Sequence, residues 1–530
     1  MLKRILSEQN LPWLSASIAA LVALWVSFQT HGVINNDGTL YIEVAQLFDA
    51  GQWKAGFATY NWPLYPLLIM LTHKLSGLDF QVSAHLLTLL FFAATGWGIA
   101  TLIRELGGSR WAMLAGLALL IATPYLVGDI LPMVVRDHGY WACHVWSLVY
   151  LLRFLQTPGW KNAALWGTLA IAATLFRIEG LTYLLLAPLA LLANTSRPWT
   201  LRLRDLLQAH VLLLAAGLLL ALLVLMHPAL NLEHLGRLRE PAIILELVYQ
   251  QITTGLAHRA DIIGQQALGS YLDDYGMPTL LLGMAYILLF KVATVAGLLQ
   301  AGLAASLWKK IRPLMSSTGW QLLCWMLLLG LLNASVILVK GFILPKRILI
   351  PIGLVTIAMA AMAVPALLDA LNRRSRALRL AALALLGLLL LTQLMIALRP
   401  FPASNRYERD ASEWVMQQAA ADSKVFFETG RMAFYAGKKF HHTTGWTAEQ
   451  EARWRNAINS RQSPPQFDTT LQQMANYDYL LFIIRDREPA KETQLTAHLG
   501  QPVAQFDGPR GKKILVYRNQ HSQWAASIHD

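Results

Sequence analysis

One acidic residue stands directly after the first long apolar segment of the sequence, in the stretch Asn35-Asn36-Asp37-Gly38-Thr39. An aspartate here can cap the helix that the following residues predict, because its side chain accepts from free backbone amides. The neighbouring asparagines and glycine supply more polar functionality than a cap requires. A carboxylate can also take the proton of a hydroxyl nucleophile. We therefore predict that Asp37 acts in an active site at the outer surface of a membrane.

A second ionisable group, Arg136-Asp137-His138, lies between the third and fourth apolar segments. An internal Arg–Asp pair that fixes the loop is the simpler interpretation. Two outer loops that each offer an acid at a helix start also suit a shared acceptor site, or a divalent metal site for Mg or Mn formed by Asp37 and Asp137. We predict these two acids as catalytic and Arg136 and His138 as substrate-binding.

Two further groups interrupt apolar sequence at the same side of the predicted membrane. Arg177 and Glu179 follow the fifth apolar segment, where ionisable residues usually pair with one another or line a wet cavity. Lys340, Lys346 and Arg347 flank the stretch 341–345 and place positive charge outside, against the general charge bias. An anion such as a lipid-linked phosphate would explain these cations, and headgroup anchoring is the alternative.

The elements that must position these residues are apolar segments of membrane-spanning length. About 20 apolar residues span the hydrocarbon core. Eleven candidate spans occur, at 12–30, 82–103, 111–128, 140–156, 163–177, 181–195, 207–228, 278–305, 319–339, 348–368 and 379–398. The segment 181–195 is short and 278–305 is long with Lys291 inside it, so the count is open by one or two. The sequence predicts a polytopic α-helical membrane protein.

Charge gives the expected orientation. With a cytoplasmic N-terminus, the inside loops are short and basic, as the positive-inside rule requires, and the C-terminal region lies outside. The predicted division is a transmembrane domain at 1–398, with outer loops 31–81 and 229–276, and an extracytoplasmic, periplasmic domain at 399–530. Residues 62–66 open a run too short to span, which suggests an interfacial helix.

Composition excludes several classes of protein. Only 14% of the 530 residues are charged, against about 25% in soluble proteins. Residues 400–530 carry 16 basic and 14 acidic side chains, so most of the net charge of +13 lies in residues 1–399, where basic loops set orientation. Nucleic-acid binding is therefore a poor explanation of the charge. Cys143 and Cys324 both lie in apolar segments and suggest small core residues.

The region 399–530 has the composition of a soluble domain. Residues 414–421 predict a helix, and the apolar runs 424–428, 479–484 and 514–517 predict short strands. We expect a small α/β domain.

Several of these groups together resemble the membrane GT-C glycosyltransferases. Asn36-Asp37-Gly38 with Tyr41, followed by residues 62–66, is similar to the first outer loop of that superfamily. Within that superfamily, the sequence resembles protein O-mannosyltransferases and aminoarabinose-transferase-like enzymes, which are similar to glycosyltransferase family 39. Later landmarks of the group resemble Arg136-Asp137, residues 177–180 and residues 345–351, and its extracytoplasmic domain resembles the surroundings of 430–431 and 508–513.

The resemblance implies many membrane helices around an outer cavity and transfer of a sugar from a polyprenyl-phosphate donor with inversion. The sequence leaves open whether the acceptor is a lipid, a protein or a polysaccharide, and membrane lipids are a further expected partner. Asp37 corresponds to the acid of the first outer loop, and Tyr41 to a substrate-binding position. Mannosyltransferase relatives tend to follow that acid with a second one, where this chain has Gly38. Because Gly38 offers no second carboxylate, Asp137 is favoured as the partner of Asp37.

The chemistry agrees with this implication. A hydroxyl acceptor needs a base, and the leaving lipid phosphate gains charge that Arg177, Lys346 or Arg347 can stabilise. Glu179 joins the predicted substrate-binding residues. Two alternatives stay open: a transporter or flippase of a lipid-linked saccharide, which would need polar residues along its spans, and an oligosaccharide ligase or polymerase.

Overall fold

The computed structural model describes residues 7–193, 197–226, 237–400, 406–420, 422–438, 477–486 and 489–519. It divides into two compact units, one formed by Met1–Gln29 with Asn61–Pro400 and the other by Thr30–Tyr60 with Phe401–Asp530. The first half of the predicted outer loop 31–81 thus belongs to the unit that contains the C-terminal region, although the sequence suggested the transmembrane domain for it.

The first unit is helical throughout its described part. Its principal helices are Leu11–Gln29, Leu64–Ser76, Phe80–Glu105, Arg110–Ile121, Asp137–Gln156, Trp160–Phe176, Gly180–Leu186, Trp199–Met226, Glu240–Gln250, Leu256–Ile262, Gly276–Ala296, Leu298–Ser306, Ser317–Gly341, Ile350–Asn372 and Arg376–Ala397. Short 3-10 or π-helical turns occur at Pro124–Ile130, Ala187–Ala193, Gln251–Gly255, Ile263–Leu268, Asp273–Tyr275, Arg312–Leu314 and Lys346–Leu349, and Trp308–Ile311 is a single α-helical turn.

Among the described residues, seven helices are long and apolar enough to cross a membrane, or eight if one bent pair counts as a single span. This confirms a multi-pass membrane protein, but the expected count of about eleven is not confirmed. The predicted spans 140–156, 163–177 and 181–195 correspond to the helical stretches Asp137–Gln156, Trp160–Phe176 and Gly180–Ala193, which do not meet that test, and residues 194–195 lie outside the described residues. The helix Asp137–Gln156 carries polar side chains, Trp160–Phe176 has 17 residues, and the apolar stretch Gly180–Ala193 is shorter still.

Two of the predicted spans break where the backbone cannot continue as an α-helix. The segment 111–128 bends by 42° between Arg110–Ile121 and the π-helix Pro124–Ile130, since Pro124 lacks the amide that the next helical bond needs. The segment 278–305 ends its first helix at Ala296, before Gly297 with φ +100°. Both breaks redirect the chain.

Packing distinguishes the central helices from the peripheral ones. The helix Ile350–Asn372 is mostly buried and packs on Arg110–Ile121, Leu298–Ser306 and Gly276–Ala296. The helices Trp199–Met226 and Arg376–Ala397 expose rows of leucines, as helices in contact with lipid do. The first unit therefore has an enclosed interior in which buried polar groups must find partners.

The second unit contains a four-stranded sheet in the order β1-β2-β4-β3, with β1 at Val425–Phe427, β2 at Tyr479–Ile484, β3 at Ala504–Asp507 and β4 at Lys513–Arg518. β1 and β2 are parallel, and β4 is antiparallel to both β2 and β3. Its helices are Asn36–Asp49, Trp53–Thr59, Arg406–Gln418, Gly430–Tyr435 and Pro489–Leu499.

The predicted small α/β domain is confirmed, with differences in detail. The helix expected at 414–421 begins earlier, at Arg406, and residue 421 lies outside the described residues. The edge strand Ala504–Asp507 was not predicted, because its side chains alternate between half-buried and exposed and its sequence lacks an apolar run. A buried ion pair between Arg431 and Glu408 ties two of its helices together.

Candidate functional site

Arg177 forms the centre of a buried cluster with two carboxylates, which we call the acid–arginine cluster. Its Nη1 donates to Oδ1 of Asp137 at 2.6 Å and its Nη2 donates to Oε1 of Glu179 at 2.7 Å. The Asp137 side chain is 1% exposed, and that of Arg177 is 8% exposed. The sequence could not choose between self-pairing and a substrate role for Arg177; the structure shows the pairing.

Two glycines allow the cluster to form. A Cβ on Gly139 would lie 2.3 Å from the ring of Phe176, so only a glycine lets the start of the helix Asp137–Gln156 approach the end of Trp160–Phe176. A Cβ on Gly180 would lie 2.9 Å from the backbone of Thr174, at the tight turn that carries Arg177 and Glu179. This close approach places residues 40 positions apart in hydrogen-bond contact.

Each of the two carboxylates has one oxygen that does not bond to Arg177. Asp137 Oδ2 and Glu179 Oε2 are buried and make no hydrogen bond to any other described residue. Buried oxygens of this kind are normally paired. Since carboxylate oxygens accept from hydroxyl groups, the cluster can bind a polyol or an acceptor hydroxyl.

The two neighbours of Asp137 in the sequence are also buried. His138 packs edge-to-face on Trp141, and its Nε2 donates to the carbonyl of Met133 at 3.0 Å. Arg136 is 7% exposed and interacts electrostatically with Glu179. The predicted residues Arg136, Asp137, Arg177 and Glu179 therefore meet in one place, with two cationic and two anionic groups.

Lys346 and Arg347 lie in the 3-10 turn Lys346–Leu349, which we call the cationic turn, and both are half-buried. The ammonium of Lys346 lies 5.5 Å from the ring centre of Tyr125. The hydroxyl of Tyr125 interacts electrostatically with Arg347, Asp137 and Arg177. Tyr125 therefore lies within electrostatic range of both the acid–arginine cluster and the cationic turn.

Sequence reasoning missed Tyr125. It belongs to the π-helix Pro124–Ile130, and π-helical turns are frequent at functional sites. The available signal was Pro124 and Gly128 inside the segment 111–128, which was interpreted as one uninterrupted span, with Asp129 directly after it.

His85 was also missed. Both of its ring nitrogens are buried without a hydrogen bond to a described residue, and it interacts electrostatically with His138. A lone histidine in an apolar helix gave no spacing pattern that would have indicated a site.

Asp37 and Tyr41 lie in the second unit, on the helix Asn36–Asp49. Asp37 occupies its first turn and Asn35 the N-cap position, so Asp37 is not the cap, although an anion there is favoured by the helix dipole. Tyr41 is buried against Tyr60, with ring centres 5.4 Å apart. The prediction that Asp37 and Asp137 act together stays a prediction.

No group of three or more His, Cys, Asp or Glu side chains in the described ranges could hold a metal ion. Asp137 has one oxygen on Arg177, which competes with metal ligation.

Comparisons with known proteins identify the fold. No protein-family model matches the sequence, and no curated protein matches it. A crystal structure of ArnT from Cupriavidus metallidurans bound to undecaprenyl phosphate is similar in structure, with a TM-score of 0.57, 14% sequence identity and coverage of 96% of this chain and 98% of that chain. The apo structure of ArnT from the same organism aligns with a TM-score of 0.44 and 15% identity, over 96% and 97% of the two chains. The chain therefore has the fold of the ArnT structure bound to undecaprenyl phosphate, in agreement with the fold that the sequence resemblance implied.

Proposed function

We propose that this protein is an inverting glycosyltransferase that moves a sugar from a polyprenyl-phosphate donor to an acceptor at the outer face of the membrane. The observation that carries the proposal is the fold, which is similar over 96% of the chain to a protein bound to undecaprenyl phosphate. The sugar is a hexose or a pentose, and the acceptor is a lipid, a protein or a polysaccharide. The proposed location is a bacterial inner membrane, with the N-terminus cytoplasmic and the C-terminal region periplasmic.

The reaction joins the acceptor oxygen to the anomeric carbon and breaks the bond from that carbon to the phosphate oxygen. Attack from the face opposite the phosphate inverts the configuration. The acceptor proton passes to a carboxylate, for which we propose Asp37, and the electron pair of the broken bond remains on the lipid phosphate. A general base of this kind typically contributes about 10²–10⁴-fold to the rate.

The cationic turn is the proposed binding site of the phosphate. Lys346 forms no ion pair with a carboxylate among the described residues, and both cations of the turn interact with Tyr125. Charge that develops on the leaving phosphate is stabilised by fixed cations. Arg177 has both of its terminal nitrogens on carboxylates, so its contribution to phosphate binding is weaker than the sequence alone suggested.

The acid–arginine cluster is the proposed site for hydroxyl groups of the sugar or the acceptor. Asp137 and Glu179 each have an oxygen available to accept, while Arg177 fixes the orientation of both carboxylates. Arg136 and His138 complete this polar region. Tyr41, in the second unit, is kept as a proposed substrate contact from the sequence resemblance.

The test is turnover of purified protein with a panel of radiolabelled polyprenyl-phosphate sugars, together with an Asp37→Asn variant. We expect transfer from at least one donor and a loss of about 10²–10⁴-fold in Asp37→Asn. Asp49→Asn, at the other end of the same helix, is the matched control and should retain activity.

Full turnover by Asp37→Asn would show that another group is the base. Absence of turnover with every donor, combined with movement of a labelled lipid-linked saccharide across proteoliposome membranes, would favour a flippase. Transfer of whole glycans in place of single sugars would indicate a ligase or polymerase.

A further inference from the structure

The stretch that leads into the cationic turn adopts an unfavourable backbone conformation. Phe342 ends the helix Ser317–Gly341 with φ +53°, in the left-handed region that costs free energy for a bulky residue. Pro345 then precedes Lys346 and limits the conformations of Leu344. A segment of this kind keeps one geometry only when its surroundings impose it.

Lys291 provides the first of these constraints. It lies inside the membrane-spanning helix Gly276–Ala296, and its ammonium donates to the backbone carbonyl of Leu344 at 2.5 Å. The described residues offer Lys291 no ion pair with a carboxylate. A charged residue inside a span is costly and usually functional. The carbonyl that its ammonium bonds belongs to Leu344, two residues before Lys346.

Arg259 provides the second constraint. Its guanidinium carbon lies 4.0 Å from the centre of the Phe342 ring, within the range of a cation–π contact. Arg259 belongs to the helix Leu256–Ile262, which packs against the helix that carries Lys291. The strained residue is therefore held by the outer segment that precedes that helix.

Tyr125 provides the third constraint, at the end of the stretch that joins the cationic turn. Lys346 lies over its ring at 5.5 Å. Residues 342–346 are thus held at three points by side chains from three separate elements, each with an aromatic ring or a cation as one partner.

We propose that Lys291 is a positioning residue, which fixes the Leu344 carbonyl so that Lys346 and Arg347 present their charges to the phosphate of a polyprenyl-phosphate ligand. This inference rests on the proposed function. Lys291 acts through the loop and requires no direct contact with the ligand. The three elements also explain why the cations stay half-buried at a fixed place: the loop alone, with a strained Phe342, would sample other conformations.

The experiment compares full-length wild type with Lys291→Met and Lys291→Arg in detergent. The first readout is hydrogen–deuterium exchange of the amides in residues 341–349, which does not depend on any ligand. The second is the dissociation constant for undecaprenyl phosphate, followed by the KM and kcat for a polyprenyl-phosphate sugar. Thr294→Val is the matched control, because its hydroxyl bonds only within its own helix.

We expect faster exchange in the loop of Lys291→Met and about tenfold weaker binding of undecaprenyl phosphate, which corresponds to the loss of one charge-assisted hydrogen bond. KM should rise while kcat changes less. Lys291→Arg should restore both readouts, since it retains a cationic donor, and Thr294→Val should match wild type.

Unchanged exchange in Lys291→Met would overturn the positioning role. If wild type binds undecaprenyl phosphate and Lys291→Met exchanges faster but binds the lipid equally well, the loop does not control phosphate binding. That result would also overturn the inference. A wild type that binds no undecaprenyl phosphate, although its loop responds to Lys291→Met, would refute the proposed function and the ligand assigned here while leaving the loop contact itself established.

Discussion

Replacement of Arg177 by methionine tests whether the acid–arginine cluster is as tightly coupled as its geometry indicates. The substitution removes two hydrogen bonds, of 2.6 Å to Asp137 and 2.7 Å to Glu179, and leaves both carboxylates without the guanidinium that bonds them, although Arg136 still interacts with Glu179. Breaking a buried ion pair from one side costs about 3–5 kcal/mol, because the stranded charge has lost its water as well as its partner. We expect a loss of this size in the free energy of unfolding.

The measurement is reversible unfolding of the full chain in mixed detergent micelles. Arg177→Lys should lower the free energy of unfolding less, by about 1.5–3 kcal/mol, because the ammonium keeps a positive charge there. A loss remains because one ammonium cannot bond both carboxylates as a planar guanidinium does. Adding Asp137→Asn to Arg177→Met should recover part of the loss, because it removes one stranded charge. The double-variant cycle then reports the coupling between the two side chains.

The control is Arg399→Met. Arg399 pairs with Asp129 at 2.8 Å, but the two side chains are 53% and 43% exposed. An exposed pair contributes about 0–1 kcal/mol, so this variant should differ little from wild type. The reasoning would be refuted if Arg177→Met and Arg399→Met lowered the free energy of unfolding equally. It would also be refuted if the effects of Arg177→Met and Asp137→Asn on that free energy were simply additive.

Two further predictions concern packing and a second buried pair. Gly139→Ala should destabilise the protein by about 1–3 kcal/mol in the same unfolding assay, because its Cβ would overlap the Phe176 ring. Gly217→Ala, which has open space around it, should be neutral or stabilising. A larger loss of stability in Gly217→Ala than in Gly139→Ala would contradict the close approach of Gly139 to Phe176. Glu408→Ala should lower the free energy of unfolding by about 3–5 kcal/mol, because Arg431 would lose the carboxylate with which it pairs. Near-UV circular dichroism of the full chain should show lost tertiary structure. A variant with a wild-type spectrum and unfolding curve would show that the pair is dispensable.

Local properties of the sequence were sufficient for the class of the protein. Apolar segments predict membrane helices because hydrocarbon excludes unpaired backbone groups, whatever their neighbours are. The apolar run 479–484 likewise predicted the central strand, which is found at Tyr479–Ile484. The ionisable groups at Asp137, Arg177 and Lys346 were conspicuous for the same reason: each interrupts a segment in which charge is costly.

The sequence did not determine how these groups pair. Whether Arg177 contacts Asp137 depends on how closely two helices approach, and that distance is set by Gly139 against Phe176. The expected span count is not confirmed, for a related reason: helices buried against protein can be shorter and more polar than helices surrounded by lipid.

Tertiary structure also decided which residues join the site. Tyr125 carries no charge and belongs to no recognisable motif, yet the π-helix after Pro124 brings its ring under Lys346. Lys291 was visible in the sequence only as an exception inside a span, and its carbonyl partner at Leu344 is 53 residues away. Types of side chain and apolar length are properties of the chain itself, whereas contacts between distant side chains exist only after the helices have packed.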